Sequence, residues 1–88
     1  MQSMLSSKHR STLGAIFARP VRSDIRWADI ESLLRTLDAD LTEGAGSRVR
    51  ILLNGRRAVF QRPHPDPDTD KGAVTSTQRF LSEAGVTP

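Results

Sequence analysis

The chain has no cysteine among its 88 residues, and its aromatic side chains are limited to three phenylalanines and one tryptophan. Without cysteine, disulfide bridges and thiolate metal sites are excluded, which fits a reducing compartment, so we expect a cytoplasmic protein. No apolar run approaches the roughly 20 residues that a membrane-spanning helix requires, and we therefore expect no membrane partner. A chain of this length predicts one small domain.

Acidic residues are absent from two long stretches, although the chain carries ten of them. None occurs in residues 1–23 or from Gly44 to Pro65. Arginine outnumbers lysine 11 to 2, and five of the arginines lie in residues 46–62. Such a basic, acid-free stretch is typical of a protein that binds RNA or DNA, or an acidic protein partner. The alternative is an ordinary solvated sheet surface in an arginine-rich chain.

The pair Asn54-Gly55 separates two alternating runs, and this pattern is the strongest short-range signal of a β-hairpin. A two-residue type I′ turn places Leu53 opposite Arg56 and Arg48 opposite Gln61. Directly opposed residues share a face and faces alternate along each strand, so one face is apolar and the other basic. The apolar face comprises Val49, Ile51, Leu53, Ala58 and Phe60. The basic face comprises Arg48, Arg50, Leu52, Arg57, Val59 and Gln61.

Apolar residues at helical spacing predict helices over residues 7–18, 27–38 and 73–84, and residues 40–43 are expected to be extended. Trp27 shares a stripe with leucines, which favours a core anchor over a base-stacking platform. His9 is expected to be exposed to solvent. Asp66, Asp68 and Asp70 have the spacing of a calcium loop but lack a downstream glutamate at the helix-loop-helix spacing. Helix capping and solvation are therefore the preferred interpretation, and no metal or cofactor is predicted.

The order of these elements predicts an α+β two-layer sandwich. A three-stranded antiparallel sheet would be covered by two helices on its apolar face, and its basic face would stay open. Residues 1–23 would form an N-terminal helical arm, and residues 24–88 would form the domain.

Five short motifs in order resemble the HicA toxins of bacterial type II toxin–antitoxin systems, from about Trp27 to Val86. They are Gly46-Ser47, Asn54-Gly55-Arg56-Arg57, Pro63-His64, Lys71-Gly72 and Phe80-Leu81-x-x-Ala84-Gly85-Val86. The resemblance implies a fold like that of double-stranded-RNA-binding domains, cleavage of mRNA and neutralisation by a HicB-type antitoxin. For an RNA-binding function, the basic residues of this chain predict RNA contacts from one set: Arg48, Arg50, Arg57, Arg62 and Lys71.

This chain differs from the family pattern at one catalytic position. The usual histidine of the family follows the Gly-Ser pair directly, and Arg48 stands there in this chain. Arginine is effectively always protonated and cannot act as a base, although it can bind the scissile phosphate. His64 matches the second histidine of the family and is the best remaining acid/base candidate. Gln61, opposite Arg48, lies in the same predicted catalytic neighbourhood.

Two functions from different classes therefore remain open. The first is a metal-independent endoribonuclease that acts on mRNA through His64. The second is a non-catalytic module that binds RNA or an antitoxin. A DNA-binding domain ranks last, because helix-turn-helix spacing is missing and the open basic element is a sheet.

Overall fold

A computed structural model describes residues 5–63 and 66–88 of the chain. The elements, in order, are α1 (Ser7–Ile16), β1 (Ile25–Arg26), α2 (Trp27–Thr36), β2 (Asp40–Glu43), β3 (Arg48–Leu53), β4 (Arg56–Gln61), β5 (Asp68–Thr69) and α3 (Lys71–Glu83). Strands β2, β3 and β4 form an antiparallel sheet in that order, and β1 pairs with β5 in a separate antiparallel ribbon. The predicted α+β class with a three-stranded antiparallel sheet is confirmed.

The central hairpin has the predicted turn and register. Asn54 and Gly55 both have positive φ, at 50° and 81°, as a type I′ turn requires. Leu53 pairs with Arg56, and Arg48 pairs with Gln61 five positions further from the turn. The strands therefore run without a bulge, and the separation of the two faces is the one that the sequence predicts.

The core lies between the apolar sheet face and the helices. Val49, Ile51 and Leu53 are almost completely buried, with at most 2% of their surface exposed. The ring of Phe60 lies 5.6 Å from that of Trp27 and 6.2 Å from that of Phe80, between centroids. These tilted aromatic contacts join β4 to α2 and α3, and they confirm that Trp27 is a core anchor.

Helix α1 belongs to the same hydrophobic core, because Leu13 and Ile16 are buried within it. Gln78 on α3 donates a hydrogen bond of 2.7 Å to the carbonyl oxygen of Ile16 at the end of α1. The expectation of an exposed His9 is wrong: this side chain is half-buried, and its Nε2 lies 2.9 Å from Oγ of Ser32 on α2. The arm thus docks on the helical layer through apolar and polar contacts.

Four helix boundaries differ from those predicted by one or two residues. Helix α1 ends at Ile16 instead of residue 18, and α3 ends at Glu83 instead of residue 84. Helix α2 ends at Thr36 because Asp38 adopts a left-handed conformation, with φ 68°, that closes the helix. Helix α3 begins at Lys71, two residues before the predicted start, because the side chain of Asp70 accepts a 2.8 Å hydrogen bond from the Ala73 amide. Helix α3 has a glycine cap at its C-terminal end, since Gly85 has φ 84° and the Val86 amide donates to the Leu81 carbonyl across 2.8 Å.

The β1–β5 ribbon was not predicted from the sequence. Each strand has two residues, which is too short for an alternating pattern to be recognised. The ribbon pairs Ile25 with Thr69 and holds the segment after the proline-rich loop against the start of α2. Among the described residues, no helix is long and apolar enough to cross a bilayer.

Candidate nucleic-acid interface

The open face of the three-stranded sheet carries side chains in three rows that run across the strands. Because paired residues share a face, the strand registers define the rows. One row consists of Asp40, Leu52 and Arg57. The next consists of Thr42, Arg50 and Val59, and the last contains Arg48 opposite Gln61. All of these side chains are exposed, as predicted for the residues of β3 and β4.

Three arginines of this face, Arg48, Arg50 and Arg57, are available to a ligand. None of them makes an ion pair or a side-chain hydrogen bond with another residue in the described segments 5–63 and 66–88. Each guanidinium presents five donors in a planar fork that matches phosphate oxygens. The face therefore offers three free cations within one short sheet.

The open face is not uniformly basic, because β2 adds Asp40 beside Leu52. The hairpin alone could not reveal this acid. Two apolar side chains are also accessible, with Leu52 36% exposed and Val59 60% exposed. A shallow groove of about 420 Å³ runs over this mixture of cations and apolar groups. Such a surface can contact both a phosphate backbone and the faces of bases.

Arg48 and Gln61 are brought together as predicted, as a directly opposed pair at the far end of the hairpin. His64, the predicted acid/base, lies outside the described residues, and so does Pro65. The chain on either side of them is held in place. Pro67 accepts a 3.1 Å hydrogen bond from the Trp27 amide, and Arg62 donates from its amide to the carbonyl of Ser47 across 2.9 Å.

Arg62 differs from the other predicted RNA contacts because its guanidinium is already bound by two carboxylates. Its Nε lies 2.6 Å from Oε2 of Glu31, and its Nη1 lies 2.6 Å from Oε1 of Glu43. Glu31 is buried and also accepts a hydrogen bond from the indole N–H of Trp27. These contacts tie the end of β4 to α2. They leave Arg62 less available to a ligand than the three free arginines.

The charge state of Glu31 follows from this arrangement. Burial raises the pKa of the carboxyl group, but hydrogen bonds from Arg62 and Trp27 and the charges of Arg62 and Arg35 outweigh that effect. The pKa of Glu31 therefore lies below its ordinary value, and the group is ionised at neutral pH. The buried carboxylate is a fixed anion that orients the Arg62 guanidinium.

The remaining predicted positions lie around α3. Lys71 is exposed at the first position of that helix. Asp66 accepts a 2.9 Å hydrogen bond from the Asp68 amide, and Asp70 caps α3, so two of the three loop aspartates serve local backbone groups. The residues that the structure describes contain no cluster of three histidine, cysteine or acidic side chains suited to a metal ion.

A second groove, of about 460 Å³, lies between β4 and α3 and includes a cation that sequence reasoning missed. Arg79 on α3 lines it together with Arg57 on β4. Arg79 lies 22 positions after Arg57, and only the packing of α3 along β4 brings them to one groove. The only sequence signal was the exposed side of the amphipathic α3 pattern, which does not indicate its neighbour.

Comparison with known proteins gives one family. The family described as the HicA toxin of bacterial toxin–antitoxin systems matches residues 27–86. No curated protein and no solved structure shows a significant match to the chain. The matched span covers α2, the three-stranded sheet and α3, which are the elements that build the open arginine face. The chain therefore belongs to the HicA toxin family of toxin–antitoxin systems.

Proposed function

We propose that this toxin binds mRNA on the open face of its sheet and cleaves it without a metal ion, and that a HicB-type antitoxin neutralises it. The observation that carries the proposal is the set of three exposed arginines, Arg48, Arg50 and Arg57, on one sheet face. Their guanidinium groups lack partners in the described parts of the chain. Lys71 would add a fourth cation at the start of α3.

Single-stranded RNA suits this face better than a rigid duplex. The accessible side chains of Leu52 and Val59 lie between the arginines and offer apolar contact to unstacked bases. The phosphates would pair with the guanidinium forks. The groove across the face has one acidic residue at its edge, Asp40, which would repel phosphate and confine the backbone to the arginine side.

Cleavage requires a base for the ribose 2′-hydroxyl, an acid for the leaving oxygen and a cation for the charged phosphorane. In the proposed mechanism His64 takes the proton of the 2′-hydroxyl as that oxygen attacks the phosphorus, and it then gives a proton to the departing 5′-oxygen, so that the chain ends in a 2′,3′-cyclic phosphate. Arg48 stabilises the phosphorane that forms between these two events. Gln61, opposite Arg48, is a hydrogen-bonding group that can hold a ribose or phosphate oxygen. Arg62 would act as a positioning residue, since Glu31 and Glu43 fix the chain directly before the Pro63-His64 segment.

The test is an assay of purified protein on a defined single-stranded RNA in the presence of a chelator. We expect shortened RNA from the unmodified chain. His64→Ala should retain RNA binding and lose cleavage, since the arginine face is unchanged. Intact RNA under conditions in which the protein demonstrably binds it would refute the nuclease part of the proposal.

A second candidate function is a non-catalytic RNA-binding or antitoxin-binding module. It is favoured by the presence of Arg48, a group that cannot take a proton, at the position of the family's usual histidine. Arg48→His separates the two candidates. Cleavage that appears only in this variant would support the non-catalytic module, whereas cleavage by the unmodified chain would support the nuclease.

A further inference from the structure

We propose that the free edge of β4 is a docking site for an extended protein segment whose residues alternate between acidic and apolar. Strand β4 is the last strand of the sheet order β2-β3-β4, and no other described strand pairs with its outer edge. The groove between β4 and α3 lies along this edge. An antitoxin is the natural source of such a segment in a toxin–antitoxin family.

The backbone of β4 offers a regular set of hydrogen-bonding groups. The Arg62 amide donates to Ser47, which shows that the pair 47–62 is hydrogen-bonded between β3 and β4. Hydrogen-bonded and non-hydrogen-bonded pairs alternate in an antiparallel ladder. The amides and carbonyls of Arg57, Val59 and Gln61 consequently point outward. A partner strand would find three residues with free donors and acceptors at the normal ladder spacing.

Natural sheet edges are usually protected, and this one has little protection. Strand β4 has six residues, contains no proline and carries no bulge in its register. Val59, one of its two central residues, is 60% exposed. Such an edge accepts an additional strand unless something covers it. Helix α3 lines the groove below the edge, and no residue in the described part of the chain hydrogen-bonds to the outward amides and carbonyls of β4.

The surroundings determine the chemistry of the segment. Side chains of an added strand that fall on the open face would lie beside Arg57, with Arg50 one strand further across the sheet. Those on the other side would enter the groove, which is lined by Ala58, Ala73 and Phe80 together with the polar residues Asp70, Ser76, Arg79 and Glu83. Acidic residues suit the first set, and small apolar residues suit the second, because the carboxylates of Asp70 and Glu83 disfavour further acids in the groove. The alternation of a strand supplies both at once.

A second copy of this chain is a poorer occupant. Antiparallel pairing of two β4 strands would bring Arg56 and Arg57 of both copies onto one short ladder. The strand contains no acidic residue to offset four guanidinium charges. A second copy would thus bring guanidinium groups to the edge without a carboxylate to pair with them, so charge favours an acidic partner.

The experiment uses the full chain and a capped heptapeptide of alternating glutamate and valine, monitored by NMR and amide hydrogen exchange without RNA. We expect protection of the amides of Arg57, Val59 and Gln61, and no protection on the outer edge of β2. A heptapeptide with lysine in place of glutamate should bind at least about fivefold more weakly. Arg57→Glu should reverse this preference.

Two peptides with matched composition provide the control for strand pairing. N-methylation of alternate residues on one edge of the heptapeptide should abolish binding, and methylation of the other residues should leave it intact. Equal binding of both methylated peptides would overturn the inference. Protection of the β4 amides that appears without peptide as the protein concentration rises would also overturn it, and it would identify a second copy of the chain as the occupant.

A bound acidic strand would lie beside the RNA face and would weaken RNA binding. Only this consequence of docking rests on the proposed function. Docking is measured without RNA, so the two proposals fail separately. Peptide docking without any RNA affinity would remove the proposed function and leave the edge site. RNA affinity without peptide docking would do the opposite.

Discussion

Arg62 at the end of the central hairpin donates from Nε to Oε2 of Glu31 across 2.6 Å, and this contact joins the sheet to the buried side of α2. Glu31 has only 10% of its side chain exposed, and it serves Trp27 and Arg35 as well as Arg62. The Glu31 carboxylate therefore binds two side chains of α2 and Arg62, the residue directly after β4.

Glu31→Gln should destabilise the protein by about 1–3 kcal/mol, because a neutral amide leaves the partly buried Arg62 guanidinium without one of its anions. The loss is measured by urea unfolding monitored through the fluorescence of Trp27, the only tryptophan. Glu43→Gln is the matched control. Its carboxylate also binds Arg62, but its side chain is 69% exposed, and we expect little change. Equal losses in both variants would contradict the role assigned to burial.

The contribution of Glu31 should depend on pH in a defined direction. Its pKa in the folded protein lies below the ordinary value of 4.5 because Arg62 and Trp27 stabilise the ionised form. The unfolded chain therefore takes up the proton first as the pH falls. The stabilisation is complete above about pH 5 and is lost as the pH falls through the folded pKa. The stability difference between the unmodified chain and Glu31→Gln should thus shrink in acid; a difference that grew on acidification would refute the assignment.

Asn54 should stabilise the protein in two separable ways. It has a positive φ of 50°, and its Nδ2 donates a 2.8 Å hydrogen bond to the Ala84 carbonyl at the end of α3. Asn54→Gly keeps the turn conformation and loses the hydrogen bond, which should cost about 0.5–1.5 kcal/mol. Asn54→Ala adds the strain of the left-handed region and should cost about 1 kcal/mol more. Thermal unfolding of the two variants measures both effects, and equal stability would exclude the strain.

Removal of Arg50 and Arg57 together should weaken RNA binding and flatten its dependence on salt. Each lost phosphate contact lowers the slope of log affinity against log salt by about 0.7 for a single strand. Filter binding between low and moderate salt provides the measurement. The control is the double variant Arg10→Ala with Arg19→Ala, which removes the same charge from exposed positions outside the sheet. A slope that fell equally in the control would indicate net charge rather than a defined surface.

The hairpin was predictable because its information is local. Asn-Gly sets the turn, and the turn sets the register of the six strand residues on each side of it. The apolar face, the stripe of α2 and the caps of α3 follow from spacings of two to four residues. The same local spacing predicts that Arg48, Arg50 and Arg57 share one face and that Val59 is exposed beside them.

Other parts of the candidate site depend on contacts between distant segments. Arg62 lies 31 positions from Glu31 and 19 from Glu43, so no local pattern shows that two carboxylates bind it. Outside the site, the burial of His9 has the same kind of cause, because its partner Ser32 lies 23 positions away.

Backbone geometry restricts residues that are close in sequence, with a period of two residues in strands and 3.6 in helices. The order of apolar and polar side chains along the chain shows both periods. The amino-acid sequence was therefore sufficient to distinguish a solvent-exposed arginine face from a buried aliphatic face. Which cations stay free on that face, which acid joins them and which strand edge remains unpaired depend on how α2, α3 and β2 pack. Packing brings together charges whose separation along the chain follows no period, and it alone distinguishes the paired Arg62 from the free Arg57.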